Sequence, residues 1–217
     1  FLDNFTEPVL LKGGCSDMKA TKKWSVDYLK KHFNDVILPV ERYKSVHHMN
    51  TLDKEDVNIN FNNYLNKMEN DELYYCAQVE LEELAGDIDD IIYEDVVTNI
   101  DNLRYPDSLL MFLGKNKNTG CHIHIIDDYI LNQIIGKKIV YMFDYNDNPS
   151  LKMNEFFRLK PNFIKGDFFS NDLQDLNIYK VELEPGDSLF IPPWWWHATK
   201  GIGVNCSITK TYPRNDL

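Results

Sequence analysis

The sequence contains no apolar run that approaches the roughly 18 residues of a membrane-spanning segment, and it shows no signal peptide. Cysteine is scarce, and Cys15, Cys76, Cys121 and Cys206 form no CxxC pair. A disulfide framework would be denser and the chain shorter, so we expect four reduced thiols. These absences predict an intracellular protein, cytoplasmic or nuclear, with no membrane association.

Basic residues are also in short supply. Lysine and arginine together number 23 against 34 aspartates and glutamates, which leaves a net charge of −11 and a pI near 4.9. Nucleic-acid binding needs basic side chains to replace the counterions of the phosphate backbone, so this balance disfavours a nucleic-acid partner. A local basic patch stays open as an alternative, but the acidic field suits a protein or peptide partner better.

The chain does contain enough apolar material for one large domain. Of its 217 residues, 43% are hydrophobic and 13% aromatic, and only 10 are glycine, a composition that argues against disorder. We predict a single domain over residues 1–217. Its helix-rich N-terminal part and leading strands cover residues 1–107, and a barrel core that carries the functional site covers residues 108–217.

The N-terminal part mixes helix and strand patterns. Ser25 is a predicted N-cap, because Val26, Leu29 and Phe33 then repeat on one helical face. The segment Leu73–Leu81 fits either a helix or a strand. The other predicted elements are the strands Pro8–Lys12 and Val36–Tyr43 and the helices Val26–Phe33 and Phe61–Met68.

Two polar features of this part are predicted to be surface. The segment Asp87–Asp95 is rich in acids and resembles a solvated face more than a binding site. The pair His47-His48 falls in a polar loop with no candidate partner nearby in sequence.

From about Ser108 the pattern changes to short strands separated by turn signals such as Pro185-Gly186-Asp187. Many short strands without long helices between them predict an antiparallel β-barrel or sandwich rather than a parallel α/β sheet. We favour a barrel decorated by the N-terminal helices. The predicted strands are Ser108–Gly114, Cys121–Ile126, Ile130–Phe143, Phe156–Lys160, Tyr179–Leu183, Ser188–Pro192 and Val204–Tyr212.

Three histidines form the most informative pattern. His122 and His124 stand at i and i+2, so on a strand both side chains point to the same face. A third histidine from a distant strand, such as His197 after three consecutive tryptophans, could complete one side of a metal site. Three ligands from one side would leave the other side of a metal ion open, as a catalytic site requires.

Longer motifs carry a family resemblance over nearly the whole chain. They are Thr119-Gly-Cys-His122-Ile-His124, then Asn132-Gln-Ile-Ile-Gly136-Lys-Lys138, then Pro185-Gly-Asp-Ser-Leu-Phe-Ile-Pro-Pro-Trp-Trp-Trp-His197, and Gly203-Val-Asn205. In this order they resemble the JmjC-type members of the cupin superfamily. The matching group is that of the small 2-oxoglutarate-dependent hydroxylases, which includes the factor-inhibiting-HIF asparaginyl and tRNA wybutosine hydroxylases. The resemblance implies a mainly β fold with N-terminal helices, built on a double-stranded β-helix (cupin or jelly-roll) barrel.

The resemblance also implies a site for Fe(II) and 2-oxoglutarate. In it, His122, His124 and His197 hold the metal, and no further catalytic side chain is expected. The cosubstrate would be held by Lys138, which matches the family's carboxylate-binding lysine, together with Thr119, Tyr75 and Asn205. Trp195 would share a strand face with His197 and wall the substrate pocket. Some relatives dimerise through helices that follow the barrel. The sequence has no such helices after its last predicted strand, so we expect a monomer or a weak dimer.

The chain departs from the family pattern at His124, where a carboxylate is usual. The segment from His122 to Gly136 is also one residue longer than usual, which predicts a bulge near Asp127-Asp128 and leaves either acid open as an alternative ligand. Lys137 would exchange roles with Lys138 if the strand register slipped.

Three functions remain open on these grounds. The first is a 2-oxoglutarate- and Fe(II)-dependent oxygenase that hydroxylates a protein or peptide side chain. A related hydroxylase that acts on RNA is a variant of it. The second is a metal-binding cupin with another oxygenase chemistry, because nitrogen-only ligand sets also suit other metals. The third is an inactive binding module.

Overall fold

The computed structural model describes residues 5–44, 54–70, 72–81, 94–98, 106–147, 163, 168–169 and 176–214. Three helices lie in the N-terminal part: α1 (Lys19–Lys23), α2 (Val26–His32) and α3 (Phe61–Glu69). The strands of the N-terminal part are β1 (Val9–Leu11), β2 (Ile37–Tyr43), β3 (Lys54–Asn60) and β4 (Tyr74–Glu80). The strands of the barrel core are β5 (Ser108–Lys115), β6 (Asn118–Ile123), β7 (Asp127–Asp144), β8 (Tyr179–Leu183), β9 (Ser188–Ile191) and β10 (Trp195–Pro213).

The N-terminal helices follow their sequence signals. The Ser25 hydroxyl accepts a hydrogen bond from the Tyr28 amide at 3.1 Å, which caps α2 as predicted. Leu73–Leu81 forms a strand rather than a helix, because β4 pairs with β2 on one side and β5 on the other. Helix α1 and strand β3 have no counterpart in the predicted elements, since their short, lysine- and asparagine-rich sequences carry little apolar periodicity.

The barrel is built around two long antiparallel strands, β7 and β10. The first half of β7 pairs with β9 and its second half with β8, while β10 pairs first with β6 and then with β5. The strands bend at Gly136 and Gly203, which both have positive φ. A Cβ atom on Gly136 would lie 2.1 Å from the Val204 carbonyl oxygen, so only glycine fits this crossing. The arrangement confirms the predicted double-stranded β-helix.

The bulge between His122 and Gly136 lies elsewhere than predicted. Asp127 and Asp128 pair regularly with Pro213 and Tyr212, so there is no bulge at these two acids. The register instead steps from Gln133 opposite Ser207 to Ile135 opposite Cys206, which leaves Ile134 as the bulged residue. Ile134 is buried in the main apolar core, and this burial fixes the position of the bulge.

The main core lies between the N-terminal helices and the outer face of the sheet. Phe33, the C-cap residue of α2, and Tyr64 of α3 are fully buried in this core, which also contains Leu113 and Cys206 of the sheet. A second, smaller cluster on β7, β9 and β10 lies on the opposite, inner face and includes Tyr129, Val140 and Trp195. The inner face therefore remains available for the polar residues of the site.

Asp95 contradicts the prediction of a solvated acidic face. Its side chain is fully buried and accepts hydrogen bonds from Lys23 at 2.9 Å, Trp24 at 3.1 Å and Tyr28 at 2.7 Å. Burial raises the pKa of the carboxyl, but the three donors outweigh it and the pKa is lowered. Glu94 is exposed as expected, and most of Asp87–Asp95 lies outside the described residues, as do His47-His48 and Phe156–Lys160.

Asp95→Asn is expected to destabilise the fold by about 2 kcal/mol, because it removes a charged acceptor from three buried hydrogen bonds. Urea unfolding near neutral pH would measure this loss, with Asp17→Asn as a control in an exposed ion pair. Since the folded pKa of Asp95 is depressed, its contribution is present above the unfolded pKa of about 3.9 and fades as the pH falls through the folded value. A difference from wild type that persists unchanged in strong acid would contradict this assignment.

No helix in the described ranges is long and apolar enough to cross a membrane. The four cysteines are all buried, and none of them is paired in a disulfide.

Candidate metal centre

Three histidines meet on the inner face of the barrel. His122 of β6 pairs directly opposite His197 of β10, and His124 follows β6 by one residue. The ring centroids of His122 and His197 are 4.2 Å apart, and His124 lies 5.2 Å from each. One ligand nitrogen of each histidine lies within 4.8 Å of the others, a spacing that a single metal ion can span. The i, i+2 spacing predicted that His122 and His124 share a face, and the family resemblance added His197.

The hydrogen bonds of two histidines direct their other nitrogen into the cluster. His122 Nδ1 lies 2.8 Å from the Gly120 carbonyl oxygen, and His197 Nδ1 lies 3.1 Å from that of Trp195. A carbonyl only accepts, so each Nδ1 carries the proton and each Nε2 keeps its lone pair. Nε2 of His124 and of His197 are buried and find no hydrogen-bond partner among the described residues. Buried orphan acceptors that converge in this way fit a metal ion.

Burial keeps the three imidazoles neutral. It lowers the pKa of His122 and brings that of His124 to about 3, where the neighbouring His122 adds to the effect. The pKa of His197 falls well below its usual range for the same reasons. Neutral imidazole is the form that binds a metal, so the cluster is ready for one near neutral pH.

No carboxylate belongs to the cluster within the described part of the chain. Asp128 is fully buried on β7 and accepts a hydrogen bond from Arg214 Nε at 2.8 Å. Asp127 lies at the start of β7, opposite Pro213. The geometry favours His124 over either acid as the third ligand.

Two threonines continue the inner face from the histidines. Between His122 and Thr119, β6 uses one residue more than β10 does between His197 and Thr199, so this irregularity returns Thr119 to the face of His122. The Thr119 and Thr199 hydroxyls are 2.8 Å apart, and Thr119 Oγ1 also accepts from the Thr199 amide at 3.1 Å. Thr119 thus lies on the same face as His122, and Thr199 is its unpredicted partner.

Lys138 closes this polar row. It pairs with Gly201 of β10, about 13 Å along the strand from His197, on the face that also carries Val140. Its side chain is only 2% exposed, whereas Lys137 points outward to Glu184. The strand register therefore selects Lys138 over Lys137 as the inward lysine.

A relay of hydrogen bonds orients the Lys138 ammonium. Gln133 Nε2 donates to the carbonyls of Ile135 and Gly136, so its Oε1 accepts from the Ser207 hydroxyl at 2.9 Å. The Ser207 oxygen in turn accepts from Lys138 Nζ. One of the three ammonium hydrogens is thereby used, and two remain for a ligand. Sequence reasoning missed Gln133 and Ser207, although Gln133 lies within a quoted motif.

The Lys138 charge has no anionic partner in the described ranges. Burial lowers the pKa of Lys138 to about 8, and its Nζ lies 5.6 Å from the centre of the Phe112 ring. A buried cation without a carboxylate is costly unless it meets an anion. The arrangement suits the carboxylate of a bound ligand.

Tyr75 and Asn205, the other two predicted cosubstrate residues, are buried near this lysine, but the contacts described for them are with residues other than Lys138. The Tyr75 ring packs against Phe112 at 6.3 Å and fills the space beside Gly114, where a Cβ would come within 2.9 Å of it. Asn205 Nδ2 donates to the carbonyls of Gly114 at 3.4 Å and Gly203 at 3.2 Å. Both amide hydrogens of Asn205 are used in these bonds, and Ser207 is the hydroxyl group that contacts Lys138.

Trp195 lies on the inner face, as the alternation along β10 predicts. It packs in the apolar cluster with Tyr129 and donates its indole N–H to the Thr6 carbonyl at 3.0 Å. Trp194 is 45% exposed with a positive φ of 68°, and its amide donates to the His124 carbonyl at 2.8 Å. Trp195 therefore walls the barrel interior, and Trp194 lies at its edge.

Two aromatic rings that the sequence did not reveal flank the histidines. Phe163 stacks on His122 with centroids 5.0 Å apart, and Tyr129 stacks on His124 at 4.8 Å. Only the period-two spacing of Tyr129 relative to Leu131 hinted at an inward position.

Comparison with known proteins places the chain among cupins. A family model described as a cupin-like domain matches residues 4–212. The tRNA wybutosine-synthesizing protein 5 of Gallus gallus is 27% identical over 216 residues, which cover 88% of this chain and 65% of that protein. The JmjC domain-containing protein D of Dictyostelium discoideum is 24% identical over 246 residues, which cover 95% of this chain and 53% of that protein.

Among solved structures, the X-ray structure of E. coli ycfD matches 98% of this chain and 51% of its own, with a TM-score of 0.57 and 16% identity. That likeness supports the fold. The chain spans only about half to two thirds of the length of these relatives.

Proposed function

The chain belongs to the cupin-like domain family, in its JmjC-type branch, and we propose that it is a 2-oxoglutarate- and Fe(II)-dependent oxygenase that hydroxylates a protein or peptide side chain. The main observation behind this proposal is the inner-face row of polar residues. It runs from three clustered histidines, two of which have a buried Nε2 without a partner, to a buried lysine that meets no carboxylate among the described residues. A metal chelate at one end and a cation at the other match the two ends of a dicarboxylic oxoacid.

Each residue of the row has a definite task in this proposal. His122, His124 and His197 would hold ferrous iron through Nε2. Lys138, oriented by Ser207, would bind the distal carboxylate with its two remaining ammonium hydrogens. The Thr119 hydroxyl lies between Lys138 and the three histidines along the inner face. When bound, iron with 2-oxoglutarate supplies the chemistry that inserts one oxygen atom of O₂ into a C–H bond and converts the oxoacid to succinate and CO₂.

The barrel walls would protect this chemistry from water. Trp195, Val140 and Tyr129 belong to an apolar cluster on the inner face, next to the polar row. Exclusion of water strengthens the attraction between Lys138 and a carboxylate, because the local dielectric constant is low.

The edge of the site supports a protein or peptide substrate. Ile125 and Ile126, which directly follow His124 in sequence, are 46% and 60% exposed. The half-exposed Trp194 lies beside them, because its amide donates to the His124 carbonyl. Asp127 lies beside them, and its pKa is raised chiefly by burial and further by the nearby acid Asp107. An apolar edge with acids beside it suits a peptide that carries bulky apolar and basic side chains, and it repels a phosphate backbone.

His124 supports a second candidate, a metal-dependent oxygenase of this fold that needs no oxoacid. A third imidazole in place of a carboxylate makes the site one charge more positive and widens the choice of metals. The buried, unneutralised Lys138 has no task in that alternative, which is why we place it second.

The experiment is a succinate assay on the purified chain, with ferrous iron, 2-oxoglutarate and oxygen each omitted in turn. We expect succinate only when all three are present, and more of it when basic peptides are added. Oxygen consumption that does not depend on 2-oxoglutarate would favour the second candidate. Stimulation by single-stranded RNA and not by peptides would overturn the assignment to a protein substrate.

A further inference from the structure

We propose that Tyr129 is a positioning residue that holds His124 in its ligand orientation through ring stacking. The inference rests on the proposed metal site and concerns how the histidine that replaces the usual carboxylate is kept in place. The Tyr129 and His124 rings are nearly parallel, with centroids 4.8 Å apart and an angle of 16° between planes.

His124 differs from the other two histidines in how its ring is held. His122 and His197 each bind a backbone carbonyl through Nδ1, two residues before the histidine itself. No side-chain hydrogen bond of that kind holds the His124 ring within the described ranges. The ring that supplies the unusual third ligand therefore depends on packing for its orientation.

Tyr129 is well placed to supply that packing. It is buried on β7 and contacts His197 as well, at 5.7 Å between centroids, so its ring packs against two of the three histidines. Regular pairing of Tyr129 with Thr211 and Ile191 fixes its backbone from both sides. Groups that orient a metal ligand typically change metal affinity by about 10–100-fold when removed.

The flat ring is the property that matters in this proposal. Stacking uses the face of the aromatic ring, so phenylalanine should serve as well as tyrosine. If the Tyr129 hydroxyl instead bound the cosubstrate directly, Tyr129→Phe would remove that interaction. The two substitutions thus separate a positioning role from a ligand-binding role.

The test measures Co(II) affinity and the Co(II) d–d absorption spectrum of the full 217-residue chain, without 2-oxoglutarate or turnover. We expect Tyr129→Leu to weaken Co(II) binding about 10-fold or more and to change the spectrum, and Tyr129→Phe to leave both as in wild type. Tyr141→Leu is the matched control, since Tyr141 lies on the same strand and packs against Phe168 and Phe169. Thermal unfolding of the metal-free proteins checks that each variant is folded.

A double-mutant cycle tests whether Tyr129 acts through His124. In a His124→Ala background, Tyr129→Leu should cost much less Co(II) affinity than in wild type, and the loss that remains reports its contact with His197. An equal loss in both backgrounds, or a loss in Tyr129→Phe as large as in Tyr129→Leu, would overturn the proposal. Failure of the succinate assay would leave this result standing, whereas wild-type protein that binds no Co(II) would refute the metal site itself.

Discussion

His197→Ala is expected to abolish stoichiometric metal binding and, with it, any succinate formation. His197 is only 1% exposed, and its free Nε2 faces the other two histidines from the opposite strand. Loss of a group that merely orients a ligand costs about 10–100-fold in metal affinity, so loss of the ligand itself should exceed about 100-fold. Elemental analysis after ferrous loading and gel filtration would measure the effect.

Two comparisons make the His197 result specific. His32→Ala removes a histidine on helix α2, outside the cluster, and should leave the metal content unchanged. His124→Ala should reduce the metal content while Asp127→Ala should not. The opposite pattern, with Asp127 required and His124 dispensable, would show that the ligand assignment is wrong.

Lys138→Met is expected to weaken 2-oxoglutarate binding by about 100-fold or more while the metal content stays normal. The ammonium is buried, oriented by Ser207 and without a carboxylate in the described part of the chain. Removal of one partner of a buried charged hydrogen bond costs about 2–5 kcal/mol, and each 1.4 kcal/mol is tenfold in affinity. Calorimetric titration of the metal-loaded protein with 2-oxoglutarate would provide the number.

The neighbouring lysine supplies the control for this prediction. Lys137→Met changes an exposed residue paired with Glu184 and should leave 2-oxoglutarate affinity unchanged. Lys138→Met should not unfold the protein, since it removes a buried charge and keeps the linear shape of the side chain. If Lys137→Met were the variant that lost affinity, the inward lysine would be misassigned.

The pH dependence of binding provides a second check on Lys138. Burial lowers the pKa of the free ammonium to about 8, so the lysine loses its charge above that pH while an unperturbed lysine stays charged. Affinity for 2-oxoglutarate should therefore fall as the pH rises through about 8, by up to tenfold per unit. In Lys138→Met this pH dependence should disappear.

The convergence of the three histidines was predictable from a local rule together with the family resemblance. The period of two on a strand places His122 and His124 on one face, and the motif before His197 marks the strand that brings the third histidine. The same alternation places Lys138 on the inner face and Lys137 on the outer face once the strand register is known. The family resemblance then supplied the fold and the expected cosubstrate.

Other parts of the site depend on contacts between distant segments and could not be predicted. The bulge at Ile134 is set by pairing with Cys206 and Ser207, some 70 residues away, so sequence spacing alone misplaced it at Asp127-Asp128. The roles of Ser207 and Tyr129 depend on tertiary contacts, because Ser207 meets Lys138 and Tyr129 meets His124 only in the folded barrel.

Burial could not be predicted from charge alone either. Asp95 belongs to an acidic segment, and the segment predicts exposure. Its three partners, Lys23, Trp24 and Tyr28, come from α1, α2 and the turn between them.

The most direct test of the proposed site is an anaerobic titration of the iron-loaded chain with 2-oxoglutarate, followed by visible absorption. Chelation of ferrous iron by an oxoacid produces a metal-to-ligand charge-transfer band, so the band reports metal and cosubstrate in one site. We predict a saturable band in wild type, no band in His197→Ala, and saturation at a much higher concentration in Lys138→Met. A wild-type protein that binds iron but gives no band, or a band that neither variant alters, would contradict the proposed site.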